Sequence, residues 1–326
     1  MEFLQKALRL KFLLGVCVLL TIFSSQSLYA NTTDNSNNQP YPDMRLYIFG
    51  HSLLVHQPTP SNEATVPHWM NLFADHVGSN FTVNGQFGFL MQHSNLPPIS
   101  QWGFRGVDSS WDPDENLSAP ARAQSFASAD FTDFLLTAAN FIQYQGPDSP
   151  YEGDNPGNKT PLDYTLQIID WLEKYEPGAN IYIYENWPEM AAFGDFPVNR
   201  KQFDKYNDYV LGDFHQWWVS YYEALREARP SATIKMVPVG PIITGLLTET
   251  PLKAIPIEEL YEDSAPHGRP NIYFLASLIT HMAMNDRKAL SDFEPPMTIH
   301  QLIRDDMSTV VNYIWDKLEQ YNASLK

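Results

Sequence analysis

Five short apolar runs, with helix-length segments between or after them, constrain the fold of this chain most strongly. Each run has the length of a strand, and continuous apolar character is expected where both faces of a sheet are covered. Strands that alternate with helices predict an α/β domain with a parallel sheet. The predicted strands are Met44–Phe49, Phe81–Asn84, Phe134–Ala138, Ile181–Glu185 and Ile234–Pro238. The predicted helices are Val66–Val77, Leu162–Tyr175, Asp208–Arg229, Asn271–Met284 and His300–Tyr321.

The first 30 residues have the pattern of a signal peptide. Basic residues precede an apolar stretch, Phe12–Phe23, that is short for a membrane span, and a cleavage pattern ends at Ala30. We therefore expect a signal peptide over residues 1–30, a flexible leader over 31–42 and a single domain over 43–326. The protein would be secreted or periplasmic and have no integral membrane span after cleavage. A retained N-terminal anchor is the alternative.

Loss of that segment would leave an acidic chain without cysteine. The segment contains Lys6, Arg9, Lys11 and Glu2, so its removal changes the formal net charge from −17 to −19. Such a charge repels phosphate backbones, and nucleic acid is not expected as a partner. The chain's one cysteine, Cys17, is lost as well. We therefore expect neither a thiol nucleophile nor a cysteine metal ligand.

Glycines and polar residues follow the predicted strands, where sites form in open parallel sheets. Acyl transfer requires a nucleophile, a base, a group that orients the base, and hydrogen-bond donors for an oxyanion. Five segments together contain residues of all these types. They are Gly50–Leu53, Asn84–Gly88, Ala138–Asn140, Asn186–Glu189 and Glu262–Gly268.

The order of these segments resembles that of the SGNH hydrolase superfamily, also called GDSL-type esterases. Gly50-His51-Ser52-Leu53 resembles the nucleophile block, with histidine where the family usually has aspartate. Gly88 is similar to the glycine of the second block, and Ala138-Ala139-Asn140 resembles the Gly-x-Asn block with alanine in place of glycine. The resemblance runs from about Met44 to Met284. It implies a three-layer α/β/α sandwich with a central, mostly parallel sheet, as in flavodoxin-like folds.

The last block of the resemblance departs from the family in its spacing. The family has Asp-x-x-His, whereas here Ser264 occupies that acid position and Asp263 lies one residue farther from His267. A one-residue bulge would still bring the Asp263 carboxylate to the histidine. There are two alternatives. Glu262 could be the acid instead of Asp263, or the site could be a Ser–His pair in which a backbone carbonyl orients the ring.

The resemblance implies a role for each residue of a serine esterase. Ser52 would be the nucleophile, His267 the general base, and Asp263 the carboxylate that orients the histidine. A histidine suits this role because its ordinary pKa lies near neutrality. No cofactor is expected. His51 and His56 suggest a metal pair, but no compact ligand motif completes it, so no metal is expected either.

The same resemblance implies three donors for the oxyanion. These are the Ser52 N–H, the Gly88 N–H and the side-chain amide of Asn140. Gly85 is the alternative to Gly88, and Asn186 is the alternative to Asn140, because each lies near the end of a predicted strand.

The expected substrate is an acylated carbohydrate, because an exported esterase meets esters on sugars and secreted polymers. We favour removal of O-acyl groups, acetyl above all, from a polysaccharide or oligosaccharide. Trp102 and Trp187 would stack on sugar rings, and Arg269 would meet a uronate or sulfate. His51, next to the nucleophile, is a further candidate for substrate binding.

Two other functions remain open from the sequence. A glycoside hydrolase would use a pair of carboxylates, for which Glu185 and Glu189 at the fourth strand are candidates. A catalytically inactive sugar-binding protein would fit the altered spacing of Asp263 and His267. Loss of the Ser52 hydroxyl would spare the glycoside hydrolase.

Overall fold

The computed structural model describes residues 40–56, 62–102, 111, 116–139, 146–151 and 155–325. The predicted signal peptide, the leader up to residue 39 and Asn140 lie outside these residues. The end of the predicted leader is held in place. The Arg287 guanidinium lies 4.8 Å from the ring centroid of Tyr41 and donates a hydrogen bond to the Pro40 carbonyl (3.3 Å). The last residues of the predicted leader therefore contact Arg287.

The central sheet has five strands, all parallel, in the order β2-β1-β3-β4-β5. This arrangement confirms the predicted parallel sheet. β2 is longer than predicted, because its last three residues pair with the end of β1 although one of them is glycine. β3 ends two residues earlier than predicted. The strands are β1 (Met44–Gly50), β2 (Phe81–Phe87), β3 (Asp133–Leu136), β4 (Asn180–Tyr184) and β5 (Thr233–Val237).

Helices connect the strands and follow the last of them. None of the helices in the described ranges is both long and apolar enough to cross a membrane. The helices are α1 (Val66–Val77), α2 (Leu90–His93), α3 (Ala119–Ser128), α4 (Pro161–Tyr175), α5 (Arg200–Tyr209), α6 (His215–Ala228), α7 (Val239–Glu249), α8 (Pro270–Asn285), α9 (Gln301–Arg304) and α10 (Met307–Ser324).

Side chains of the strands alternate between two hydrophobic cores, one on each face of the sheet. Leu46 and Ile48 of β1 pack with α1, α7, α8 and α10 on one face. Tyr47 and Phe49 pack with α3, α4 and α6 on the other. Because successive strand side chains point to opposite faces, both faces of β1 are buried. The protein is therefore a three-layer α/β/α sandwich, as predicted.

Local signals explain why α1 agrees with the prediction at both ends. The Thr65 side chain accepts a hydrogen bond from the His68 N–H (3.4 Å), and Pro67 occupies the first turn. Gly78 closes the helix with a positive φ of 72°, a conformation that glycine adopts without steric cost.

Other helices differ from the prediction. The predicted helix Asp208–Arg229 is instead parts of α5 and α6, which are joined by a π-helical turn, Val210–Phe214, in which Gly212 has non-helical angles (φ −102°, ψ −109°). The predicted helix His300–Tyr321 is divided into α9 and α10. α7 was not predicted because nearly all its residues are buried, so its sequence has no polar face to reveal the helical period.

The strand order places β1 at a topological switch point. The chain runs from β1 to β2 on one side and then crosses to β3 on the other side of β1. Connections leave the sheet in opposite directions there, and the carboxyl ends of strands at a switch point are where ligands bind in open α/β sheets. The segment that follows β1 begins with His51 and Ser52.

The burial of β3 leads to a prediction about stability. Leu135 is fully buried, so Leu135→Ala should lower the free energy of unfolding by about 2–5 kcal/mol, from lost burial and the remaining cavity. Met297 is 80% exposed, and Met297→Ala should change the free energy of unfolding by less than about 0.5 kcal/mol. Urea unfolding followed by circular dichroism measures both. Equal losses in the two variants would contradict the assignment of Leu135 to the core.

Candidate active site

Ser52 lies in a tight turn directly after β1. The His51 carbonyl accepts hydrogen bonds from the N–H groups of Leu54 (2.9 Å) and Val55 (3.1 Å), which curl the chain back past the strand end. Gly50 is required there by close packing, because a Cβ atom would lie only 2.6 Å from Leu54 Cδ1. The turn leaves the Ser52 side chain partly exposed at the edge of the sheet.

The structure brings Ser52, His267 and Asp263 together in one hydrogen-bonded line. Ser52 Oγ lies 2.9 Å from His267 Nε2. His267 Nδ1 lies 2.7 Å from Asp263 Oδ2. The Nδ1–H therefore donates to the carboxylate, and Nε2 is left to accept the serine proton. This is the arrangement of nucleophile, base and orienting acid that acyl transfer requires.

A closed turn accommodates the longer spacing between Asp263 and His267. The Glu262 N–H donates to the His267 carbonyl (2.8 Å), which joins the two ends of the turn. Inside it, Asp263 Oδ1 accepts hydrogen bonds from the N–H groups of Ala265 (2.9 Å) and His267 (3.1 Å). Burial raises the pKa of Asp263, but hydrogen bonds from His267 and Ala265 outweigh that effect, so its pKa is lowered. The carboxylate is thus held ionised and correctly oriented.

Contacts from other elements hold this turn and the serine in place. The Met190 N–H donates to the Ser264 carbonyl (2.8 Å), and Trp187 Nε1–H donates to the Pro266 carbonyl (2.9 Å). On the other side, the Tyr273 hydroxyl of α8 donates to the Ser52 carbonyl (2.5 Å). Nothing in the sequence pattern indicated these contacts, since they join segments that are distant along the chain.

The two tryptophans predicted to stack on sugar rings are buried. Trp187 is 2% exposed and supports the turn through its indole N–H. Trp102 is 3% exposed, and its ring covers the ends of β1 and β2, where a Cβ atom on Gly85 would lie 2.7 Å from Trp102 Cε3. Both indoles are therefore part of the support of the site, which corrects the prediction that they bind substrate.

Arg269, the predicted partner for an acidic sugar, is partly exposed but already engaged. Its Nε–H donates to the Glu258 carbonyl (2.6 Å), and its Nη1 lies 3.7 Å from Glu262 Oε1. The side chain therefore links the start of α8 to the turn at Glu262.

The predicted oxyanion donors have different surroundings. Within the described residues the Ser52 N–H donates no hydrogen bond, so this donor is open there. The Gly88 N–H donates to the Gly50 carbonyl (3.0 Å) and extends the pairing of β1 and β2, which corrects its prediction as an oxyanion donor. The Gly85 N–H is also engaged, with Asn84 Oδ1 (2.6 Å). Asn140 lies outside the described residues.

His51 and Asn186 connect strand ends beneath the site. Both side chains are buried and approach the Ala138 carbonyl, His51 Nε2 at 3.0 Å and Asn186 Nδ2 at 2.7 Å. Asn186 Nδ2 also donates to Thr137 Oγ1 (3.0 Å). Because it is turned towards the backbone after β3, Asn186 does not serve as an alternative oxyanion donor. His51 is 2% exposed, which corrects its prediction as a substrate-binding residue.

Glu262, the alternative to Asp263 as the acid, bonds a different histidine. Glu262 Oε2 lies 3.0 Å from His56 Nε2. The His56 ring stacks on the His267 ring, with centroids 4.1 Å apart and planes inclined by 10°. The structure therefore pairs Asp263, and not Glu262, with His267.

The carboxylates suggested for a glycoside hydrolase are poorly placed for that reaction. Glu185 is fully buried, and its Oε1 lies 2.8 Å from His215 Nδ1 of α6. Burial raises the pKa of Glu185 to about 7, although His215 acts in the opposite direction. Glu189 is only partly buried. A carboxylate closed off from solvent cannot contact a glycosidic bond.

No metal site is evident in the described ranges, which contain no group of three or more histidine, cysteine, aspartate or glutamate side chains able to hold an ion.

Comparisons with known proteins add no functional information. No protein-family model matches the chain, and the search of curated proteins found no match. A solved DUF4886 family protein from Bacteroides uniformis is similar in fold with a TM-score of 0.49 and 11% identity over 84% of this chain and 94% of that chain. A second solved chain gives a TM-score of 0.37 and 12% identity over 76% and 97%. Likeness at this level carries no argument about the site.

Buried histidines near the site predict how stability depends on pH. His93 of α2 is fully buried and accepts a hydrogen bond from Gln86 Nε2 at its Nδ1 (3.0 Å). Burial lowers the pKa of His93 to about 3 and that of His51 to about 4. Both rings are therefore neutral in the folded protein at pH 5, whereas the unfolded chain binds protons below pH 6.5.

We expect the free energy of unfolding to fall as the pH is lowered from 6.5 towards 4. In His93→Asn the Asn Oδ1 can replace Nδ1 as acceptor, and the unfolded chain binds one proton fewer. The pH dependence should then be flatter by roughly 1 kcal/mol per pH unit. Urea unfolding at pH 6.5, 5.5 and 4.5 measures both slopes. Identical slopes would mean that His93 binds a proton in the folded state.

Proposed function

We propose that this protein is a serine esterase in which Ser52 attacks the ester, His267 is the general base and Asp263 orients the base. The observation that carries the proposal is the position of His267. Its two ring nitrogens lie 2.9 Å from Ser52 Oγ and 2.7 Å from Asp263 Oδ2. A histidine with an acid on one nitrogen and a partly exposed hydroxyl on the other can remove the serine proton.

The reaction follows from this geometry. His267 Nε2 takes the proton as Ser52 Oγ bonds to the ester carbonyl carbon, and the resulting imidazolium is stabilised by Asp263. The open Ser52 N–H donates to the negative oxygen of the intermediate. His267 then protonates the leaving alcohol. Water, activated by the same histidine, releases the acid and restores Ser52.

The proposed substrate is an acylated carbohydrate, and the proposed location is outside the cytoplasm. The substrate class is supported by the resemblance to SGNH esterases that act on O-acylated sugars, and the location is supported by the pattern of residues 1–30. The burial of Trp102 and Trp187 leaves any sugar contacts to other residues. Incubation of the purified protein with several acylated polysaccharides, with identification of each liberated acid, tests substrate and reaction together. Failure to release any acid would contradict the proposal.

The nucleophile is tested by Ser52→Ala. With the attacking hydroxyl removed, kcat for a nitrophenyl ester should fall by at least about 10⁴-fold while the circular dichroism spectrum is unchanged. Ser220→Ala is the matched control, because that hydroxyl lies on α6, where it donates to the Gln216 carbonyl (3.0 Å). A fluorophosphonate probe should label wild-type protein at Ser52 and leave Ser52→Ala unlabelled. Undiminished turnover by folded Ser52→Ala would end the serine-esterase proposal.

The acid is tested by comparing two neighbouring carboxylates. Asp263→Asn should lower kcat by about 10⁴-fold, because an amide cannot stabilise the imidazolium and favours the wrong histidine tautomer. Glu262→Gln should cause a much smaller loss, because Glu262 bonds His56 and not His267. Steady-state kinetics of both variants with the same ester give the comparison. If Glu262→Gln caused the larger loss, the acid would be Glu262.

A further inference from the structure

A second histidine–carboxylate pair lies against the first. His56 is 5% exposed, and its ring is nearly parallel to that of His267 at a centroid distance of 4.1 Å. Its Nε2 lies 3.0 Å from Glu262 Oε2, much as His267 Nδ1 lies 2.7 Å from Asp263 Oδ2. The two acids are consecutive in the chain, so one turn orients both imidazoles.

Backbone hydrogen bonds hold the two segments that carry the rings. The His56 N–H donates to the Ala64 carbonyl (3.0 Å), next to an antiparallel bridge between Val55 and Thr65. The Glu262 N–H donates to the His267 carbonyl (2.8 Å). The backbone thus holds the two segments together, and the bonds to Glu262 and Asp263 orient the two rings within them.

The charge on His56 decides what the stacking does. Burial lowers the pKa of His56 and so favours the neutral ring. The hydrogen bond to Glu262 acts in the opposite direction but is the smaller effect. The other groups that act on it are His267, which lowers its pKa, and Asp263, which raises it. Arg269 lies beyond Glu262, 3.7 Å from its second oxygen. The face of a neutral aromatic ring attracts a cation, whereas a second imidazolium would repel it.

We propose that His56, held by Glu262, is a positioning residue that presents the face of a neutral imidazole to His267 and stabilises the imidazolium formed there. This inference rests on the proposed serine-esterase function, because only the transfer of the Ser52 proton gives His267 that charge. His56 acts on His267 from above the ring, while Asp263 acts in the ring plane through Nδ1. The two contacts together restrict both the rotation and the tilt of the base.

The test compares three variants of the full chain. His56→Ala removes the stacked face. His56→Phe restores an aromatic face without the bond to Glu262. Glu262→Gln keeps an acceptor for His56 Nε2–H and removes only the charge. The control is His76→Ala. His76 also lies within hydrogen-bond distance of a carboxylate, Asp292 Oδ1 at 3.1 Å, but it belongs to α1 and not to the site.

The first measurement follows the His267 ring signal by NMR as the pH changes. We expect its titration midpoint to fall by about half a unit to one unit in His56→Ala, because the imidazolium loses its cation–π contact. His56→Phe should recover part of the shift, and Glu262→Gln should show a smaller shift in the same direction. His76→Ala should leave the midpoint unchanged.

The second measurement is the pH profile of ester hydrolysis. We expect kcat/KM to fall about tenfold in His56→Ala, with its acid limb displaced to lower pH, and to recover partly in His56→Phe. The NMR result is independent of turnover. An inactive wild-type protein that still shows the NMR shifts would therefore overturn the proposed function and leave the interaction of the two rings intact.

Two outcomes would overturn the inference. Equal titration midpoints in wild type, His56→Ala and His56→Phe, with all three folded by circular dichroism, would show that His56 only fills space. A midpoint that rises in His56→Ala would show that His56 carries a positive charge and repels the imidazolium.

Discussion

The parallel pairing of β1 with β2 on one side and β3 on the other sets the position of every element around the site. It buries both faces of β1 and places its carboxyl end where the connections diverge. The turn after β1 packs closely on that strand end, where a Cβ atom on Gly50 would lie 2.6 Å from Leu54 Cδ1. Ser52 reaches the edge of the molecule as a consequence of that geometry.

The turn that carries the acid and the histidine shows how a change of spacing can be accommodated. With four residues from Asp263 to His267, one carboxylate oxygen binds two backbone N–H groups of the turn and the other binds the imidazole. The extra residue is taken up by hydrogen bonds that also lower the pKa of Asp263. The same hydrogen bonds to Asp263 therefore shape the turn and keep the carboxylate ionised.

Several polar residues near the strand ends serve the scaffold and do not line a binding surface. His51 and Asn186 converge on the Ala138 carbonyl, and Trp187 holds the turn through the Pro266 carbonyl. Their burial explains why residues of types that often bind ligands are closed to solvent here. Buried N–H groups need hydrogen-bond acceptors, and Asn186 Nδ2 and the Trp187 indole find theirs in backbone carbonyls that support the site.

The α/β class, the parallel sheet and the segments at its carboxyl edge were predictable from the amino-acid sequence, because short apolar runs and strand-end glycines depend on local chemistry. The sequence could not reveal α7, whose buried surface leaves no polar face, or the break at Gly212. Only the tertiary structure decided which carboxylate bonds His267, that Gly88 is engaged with Gly50, and that His56 stacks on the base. These outcomes depend on distances of a few ångströms between segments far apart in the chain, and local sequence patterns do not determine such distances.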